Sequence, residues 1–312
     1  MKKLVLVATA MVMLTGLAEA GVHIFDIQPK KVAEKTWCIF GAMDKPTKEN
    51  AGFMSNSCWI QTKDSWVLWD AGASYNFAKQ SYDAMSKIAK LPVSAVIISH
   101  EHDDHWLGAG YYKERFNARI IGPELINKKY KAGDKTRMFK TLNPEDIAGT
   151  KIIKMDETYP KGKTLTLGGI NMEYTPVGQA HSEEDYFLYI PSRKLMLASD
   201  IIMNGRITSN RDGSVIGEIN AIKKLKSKEW DYAVPGHGLI TDKTAADEST
   251  LYFKLLKERV LKAIDDDVDA TQITKKVTLP EFKDKKMYEL LNYLNVFGAY
   301  AELEMYDPDE DK

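Results

Sequence analysis

The stretch Val93-Ser94-Ala95-Val96-Ile97-Ile98-Ser99-His100-Glu101-His102-Asp103-Asp104-His105 decides how the rest of the chain is read. Its first part is a short apolar run rich in β-branched residues. Such a run suits a strand buried on both faces. It passes directly into three histidines within six residues, in a protein that has only six. A lone histidine is ordinarily incidental, but three at the exit of a strand read as a ligand cluster. In an extended chain residues i and i+2 point to the same side, so His100 and His102 can grip one ion together. Asp104 and His105 fall where the chain turns and can face a second ion beside the first. Imidazole and carboxylate together suit Zn2+ and Fe2+.

Upstream of this stretch, residues 35–41 and 57–62 read as strands, and residues 66–69 as a buried one. Asp70-Ala71-Gly72 ends it with turn chemistry. Residues 77–90 have helical spacing. Downstream, the pattern predicts a helix over 106–116 and a strand over 118–121. Paired strands follow over 163–176 and 185–199, with Gly168-Gly169 and Pro191-Ser192 as turns. A helix over 216–226 and a strand over 232–234 come next. Two helical stretches, 247–265 and 281–304, finish the chain. Strands alternating with helices argue for a layered α and β domain.

Three more ligand candidates lie downstream. His181 sits in Gly178-Gln179-Ala180-His181-Ser182, Asp200 closes the strand-like run 195–199, and His237 sits in Pro235-Gly236-His237-Gly238. Singly each is weak, because a strand-terminal Asp is commonly a turn or helix cap. Together, five of the six histidines occupy loop positions suited to ligation. His23 is left over as a solvated bystander.

The set H-x-H-x-D-H, then His181, Asp200 and His237, in that order, resembles the metallo-β-lactamase-fold hydrolases over roughly residues 35–240. Asp70-Ala71-Gly72 matches the strand-ending D-x-G that precedes the metal motif in that family. The resemblance implies an α+β fold, a four-layer αββα sandwich with the site at one edge of its two sheets. It implies a main domain over 21–245 and a helical C-terminal extension over 246–312. His100, His102 and His181 would hold one Zn2+ and Asp104, His105 and His237 a second, with Asp200 bridging both. Asp70 would orient a ligand from behind. A hydroxide between the ions would attack a carbonyl-type carbon, as in a thioester or lactone, and Asp104 would pass a proton to the leaving atom. Relatives with the same ligands that bind a single Fe2+ and oxidise persulfides supply an alternative. A β-lactamase-type amide hydrolase and a non-enzymatic metal-binding or docking protein are further alternatives. Residues 295–304 are similar to the ending of a secreted branch associated with sulfur-oxidation operons and quinoprotein relay systems.

Composition bounds these readings. The 312 residues are 44% hydrophobic and 28% charged, which is the balance of a globular protein and excludes a disordered chain or a disulfide-dense mini-protein. Lys+Arg is 43 and Asp+Glu 44, a net charge of −1. That gives no electrostatic ground for a nucleic-acid partner or an anionic membrane. A small-molecule substrate is the expected partner, and the oligomeric state is not readable. No Gly-rich phosphate loop or dinucleotide fingerprint appears, so no nucleotide cofactor is expected.

Residues 1–20, MKKLVLVATAMVMLTGLAEA, carry Lys2 and Lys3, an apolar run and Ala18-Glu19-Ala20. This reads as a signal peptide cut between Ala20 and Gly21, so a periplasmic or secreted protein is expected. The run is too short for a stable membrane anchor. An oxidising compartment permits a disulfide between Cys38 and Cys58, with two buried thiols as the alternative. Trp106, Tyr111, Tyr112, Asn204 and Arg206 lie close to the ligand loops and are candidates to line a substrate pocket. Packing is the commoner role for such residues.

Overall fold

A computed structural model of the chain describes residues 21–307. The leader expected at residues 1–20 and the end of the acidic tail, 308–312, lie outside them. Two sheets carry the fold. The first contains β1 (Lys30–Ala33), β2 (Thr36–Ile39), β3 (Ser57–Gln61), β4 (Trp66–Trp69), β5 (Val93–Ile97) and β6 (Arg119–Ile121), in that spatial order. Pairing is antiparallel from β1 to β4 and parallel across β4, β5 and β6. The second contains β7 (Lys163–Leu167), β8 (Ile170–Gly178), β9 (Asp185–Ile190), β10 (Leu195–Met203) and β11 (Tyr232–His237), in the order β11-β10-β9-β8-β7. Only β10 and β11 pair in parallel there. The helices are α1 (Tyr75–Met85), α2 (Asp103–Trp106), α3 (Ala109–Phe116), α4 (Glu124–Lys129), α5 (Arg137–Thr141), α6 (Pro144–Ile147), α7 (Val215–Lys226), α8 (Asp247–Asp265), α9 (Ile273–Lys276) and α10 (Tyr288–Leu303). No described helix is long and apolar enough to cross a membrane.

The period of two along each strand sorts its side chains between layers. In β4, Val67 and Trp69 point into the space between the sheets, while Trp66 and Leu68 pack outward against Phe77, Ala78 and Tyr112 of α1 and α3. In β10, Leu195 and Leu197 face the first sheet, while Met196 and Ala198 face α7 and α8. The strands are thus buried on both faces, and each fully buried Leu, Ile or Val contributes roughly 1.5–3 kcal/mol. The result is the expected four-layer sandwich, with α1 and α3 outside one sheet and α7, α8 and α10 outside the other. Cys38 and Cys58 face each other across β2 and β3 and form a disulfide.

Several boundaries differ from the sequence reading, each for a physical reason. The helix expected over 106–116 is two helices, because the chain breaks at Leu107-Gly108. Gly108 lies against the Ala71 carbonyl, where a Cβ would sit 2.2 Å away. The helix expected from 281 starts at Tyr288, because Lys286 pairs with the 205–207 backbone instead. Its amide donates to Gly205 O at 3.1 Å, and its carbonyl accepts from Ile207 N at 2.9 Å. Asp200 does not close its strand, since β10 runs on to Met203 after a left-handed kink at Ser199, φ +48°. The short edge strand β1, with Lys30 and Lys31 facing solvent, has no periodic signal to announce it. His23 is half-buried rather than free in solvent, its backbone tied to Asp146 and Gln80.

Candidate metal centre

The ligand candidates gather at one rim of the sandwich, on loops that follow strands, on the short helix α2 and on the parallel strands β10 and β11. His100 follows β5, and α2 then brings Asp104 and His105 back over the same point. His181 lies in the turn between β8 and β9. Asp200 and His237 come from the parallel pair β10 and β11. Crevices outside the carboxyl ends of parallel strands are the usual place for a site in layered α/β sheets. Close backbone packing there demands glycine at 236, since a Cβ would lie 1.7 Å from Asp200 Oδ1.

The seven candidates converge as two adjoining groups. His100, His102, His181 and Asp200 form one; Asp104, His105 and His237 form the other, and within each the donor atoms lie within 4.8 Å of one another. In the first group, His102 Nδ1 faces His181 Nε2 at 2.9 Å, and Asp200 Oδ2 lies 3.1 Å from His181 Nε2 and 3.8 Å from His100 Nε2. In the second, Asp104 Oδ2 lies 3.5 Å from His105 Nε2 and 3.4 Å from His237 Nε2. Asp200 touches this group too, through Oδ1 to His105 Nε2 at 3.2 Å and Oδ2 to His237 Nε2 at 3.4 Å. Ligand atoms at ~2.0–2.2 Å around a tetrahedral ion are separated by about 3.3 Å.

Bonds on the outer side of each ring fix which nitrogen faces inward. His105 Nδ1 donates to Asp70 Oδ2 at 2.8 Å, and His237 Nδ1 to the Met54 carbonyl at 2.6 Å. Ser99 Oγ spends its proton on Asp70 Oδ2 and accepts from His100 Nδ1 at 2.9 Å. His102 Nε2 donates to Asp212 Oδ2 at 3.2 Å. Asp70 is fully buried and in turn held by Ser99 N, Ser99 Oγ and Ser199 Oγ. Asp70 thus lies behind His105, on the side of the ring turned away from the cluster.

His100 Nε2, His105 Nε2 and Asp200 Oδ1 are buried with no hydrogen-bond partner among the described residues. Buried polar atoms left in this way are costly and ask for a bound partner. Burial opposes charge on Asp200, yet His105, His237 and His181 hold its carboxyl well below the usual range. Burial likewise opposes charge on His105, and Asp200, Asp104 and Asp70 raise it nonetheless. Two carboxylates thus demand positive charge in a buried pocket walled by inward imidazole nitrogens. The residues present fit divalent metal ions.

Sequence reasoning missed the groups around these ligands. Arg137 donates through Nη2 to Asp103 Oδ1 at 2.8 Å and Asp104 Oδ1 at 2.7 Å. Neither Arg137 nor Asp212 sits in a motif; each is an ordinary charged residue of a loop or short helix. Of the pocket candidates, Trp106, Tyr111 and Tyr112 are core. Asn204 clamps the 239–245 loop through Ile240 O, Ala245 O and two amides. Arg206 alone lines the cavity of about 310 Å³ over the ligands. The 204–214 loop that carries it hangs from α10. Asn295 Nδ2 donates to Thr208 O at 2.7 Å and its Oδ1 accepts from Asn210 N at 2.9 Å. Glu302 accepts from Ser214 Oγ and from Val215 N and Ile216 N, capping the start of α7.

A family model described as the metallo-beta-lactamase superfamily matches residues 50–237. The chain belongs to that superfamily. The match ends on the last ligand candidate, so α8 to α10 lie beyond it. Metallo-beta-lactamase IND-1 of Chryseobacterium indologenes is 26% identical over 249 residues, covering 76% of this chain and 92% of that protein. Exodeoxyribonuclease WalJ of Streptococcus pneumoniae is 26% identical over 187 residues, 58% of this chain and 64% of that one. A linear primary-alkylsulfatase of a Pseudomonas strain is 20% identical over 216 residues, 57% of this chain and 40% of its own length. Among solved structures, a metallo-beta-lactamase from Pontibacter korlensis superposes with a TM-score of 0.58 at 19% identity. It covers 73% of this chain and 99% of its own, a likeness of fold.

Proposed function

We propose that this superfamily member is an exported hydrolase that works with two Zn2+ ions on a carbonyl-type substrate, an ester, thioester or lactone. One observation carries the reading: seven donor side chains, from the segments after β5 and β8 and from β10 and β11, meet as two adjoining groups at the floor of one cavity. His100, His102 and His181 would hold one ion, Asp104, His105 and His237 the other, and Asp200 would serve both. Such ions supply Lewis-acid polarisation of the carbonyl and an activated water near neutral pH. The chain's own residues do the rest. Asp104 Oδ2 receives the proton of the attacking water and hands it to the leaving atom, so that R–CO–SR′ and water give an acid and a thiol. Arg137 on Asp104 Oδ1 keeps that carboxylate ionised and aimed. Asp70 and the Met54 carbonyl hold His105 and His237 in the tautomer that faces inward. The Cys38–Cys58 disulfide supports an oxidising, exported setting.

The zinc-loaded protein, assayed against a panel of thioesters, lactones and aryl esters, is expected to cleave at least one class and to lose that activity to a chelator. Cleavage of none, with both ions bound, overturns the reading. Oxygen uptake with a persulfide by the iron-loaded protein replaces it. A β-lactam amide is the second reading, favoured by alignment over nearly the whole of a metallo-beta-lactamase; turnover of a chromogenic cephalosporin tests it.

A further inference from the structure

The cavity over the ligands is lined by two unlike kinds of residue. Lys45, Arg206 and Arg211 make part of it cationic. Arg211 is paired with Asp212, and Arg137 with Asp103 and Asp104. Arg206 is different. It is 6% exposed, its Nη1 reaches only the Asp44 carbonyl at 3.4 Å, and its Nε has no hydrogen-bond partner. Among the described residues no carboxylate pairs with it. Asp200, Asp104 and Asp44 attract it only from a distance, and a buried guanidinium with no carboxylate in contact is costly. Once cations sit among Asp104 and Asp200, those carboxylates no longer offset it.

Much of the apolar part of the lining comes from outside the family match. Met287, Leu290 and Leu291 at the start of α10 join Met54 and Met203 there. From Leu290 the surface continues out of the cavity along α10. Leu290, Tyr293, Leu294 and Phe297 are 42, 49, 40 and 56% exposed. Positions 290, 294 and 297 share one helix face, and an exposed apolar row of this kind marks a surface that receives something. It begins inside a cavity that also holds an unpaired cation, so one ligand can satisfy both.

We propose, on the hydrolase reading above, that the substrate is an anionic amphiphile. Its negative group sits on Arg206, its labile acyl bond lies over the ligand groups, and its apolar chain runs along α10 toward Phe297. The seven residue-to-residue steps from Leu290 to Phe297 span about 10 Å, the reach of an extended chain of about eight methylenes.

Hexane-, octane- and decanesulfonate, which are weak metal ligands, test this by calorimetry on the zinc-loaded protein below their micelle concentrations. Affinity is expected to rise about two- to fourfold per methylene. Arg206→Gln is expected to weaken every member about tenfold or more. Leu290→Asn and Phe297→Asn are expected to flatten the dependence on chain length, with unfolding midpoints confirming an intact fold. Affinity independent of chain length, or equal binding of alkyltrimethylammonium ions, overturns the proposal. So does a dimer that buries the α10 row and that Phe297→Asn dissociates. Hydrolysis of S-phenyl thioacetate, too short to reach the row, is followed in parallel. Cleavage of it without chain-dependent binding sinks the amphiphile and leaves the hydrolase standing. Chain-dependent binding with no acyl compound cleaved sinks the hydrolase and leaves the binding surface.

Discussion

The two ligand groups share Asp200 but are held in different ways. The group of Asp104, His105 and His237 is fixed by the sandwich itself. His105 rests on Asp70 at the end of β4, His237 on the Met54 carbonyl, and Asp104 on Arg137, with Ser55 Oγ on its carbonyl at 2.6 Å. In the group of His100, His102 and His181, the outer nitrogen of His102 depends on Asp212. Asp212 belongs to the 204–214 loop, which Asn295 and Glu302 of α10 hold in place. One half of the site is therefore a product of the sheets. The other is completed by a helix that lies beyond the family match.

The largest effect should come where both halves share a wall. Gly236→Ala drives a Cβ into Asp200, so it is expected to cost about 3 kcal/mol in denaturant unfolding and to abolish metal uptake by both groups. Retention of either site would break the comparison at its root. Next, Asp70→Asn removes the carboxylate behind His105. Calorimetric metal titration should show the site of Asp104, His105 and His237 weakened about 10–100-fold, and the other, which Asp70 reaches only through Ser99 and His100, weakened less. Asn295→Ala tests the opposite half: releasing the loop that carries Asp212 should weaken the other site about tenfold by the same titration, and leave the site behind Asp70 alone.

The smallest effect concerns α7, which follows that loop. Glu218 is fully buried with neither carboxylate oxygen partnered. Burial, then Asp185 and Asp200, raise its pKa well above the usual carboxylate range. A carboxyl raised in the folded state is stable while protonated in both states. Its contribution is lost as pH climbs above the ordinary carboxylate value, because the unfolded chain then releases the proton and the folded one does not. Glu218→Gln is expected to be more stable than the parent by about 1 kcal/mol or more at pH 8, with the difference vanishing near pH 4. Unfolding midpoints across that range check it, and a difference that grows toward acid would contradict the sign.

What was legible in the sequence was whatever depends on local pattern. The β5 run, the H-x-H-x-D-H cluster and the strand-end placing of His181 and His237 follow from periodicity and spacing. The turn at Asp70 was legible too, while its place beside His105 was implied only by the resemblance of Asp70-Ala71-Gly72 to the family's D-x-G. Arg137, Asp212 and the apolar start of α10 were not, because their importance arises only when segments far apart in the chain meet. Residues 295–304 show both cases. Their helical spacing announced a packed helix, but nothing local says that Asn295 would hold Thr208 and Asn210, or that Glu302 would cap α7. The break before Tyr288 was hidden for the same reason, since it is set by pairing of Lys286 with the backbone of residues 205–207.

The most direct test is cobalt(II) titration of the zinc-free protein, followed by visible absorption, on the parent chain, Asp70→Asn and Asn295→Ala. Two ions per chain are expected, with each variant weakening a different one the more. A single ion per chain, or two variants that weaken both ions alike, would contradict a centre built from two groups that are anchored separately.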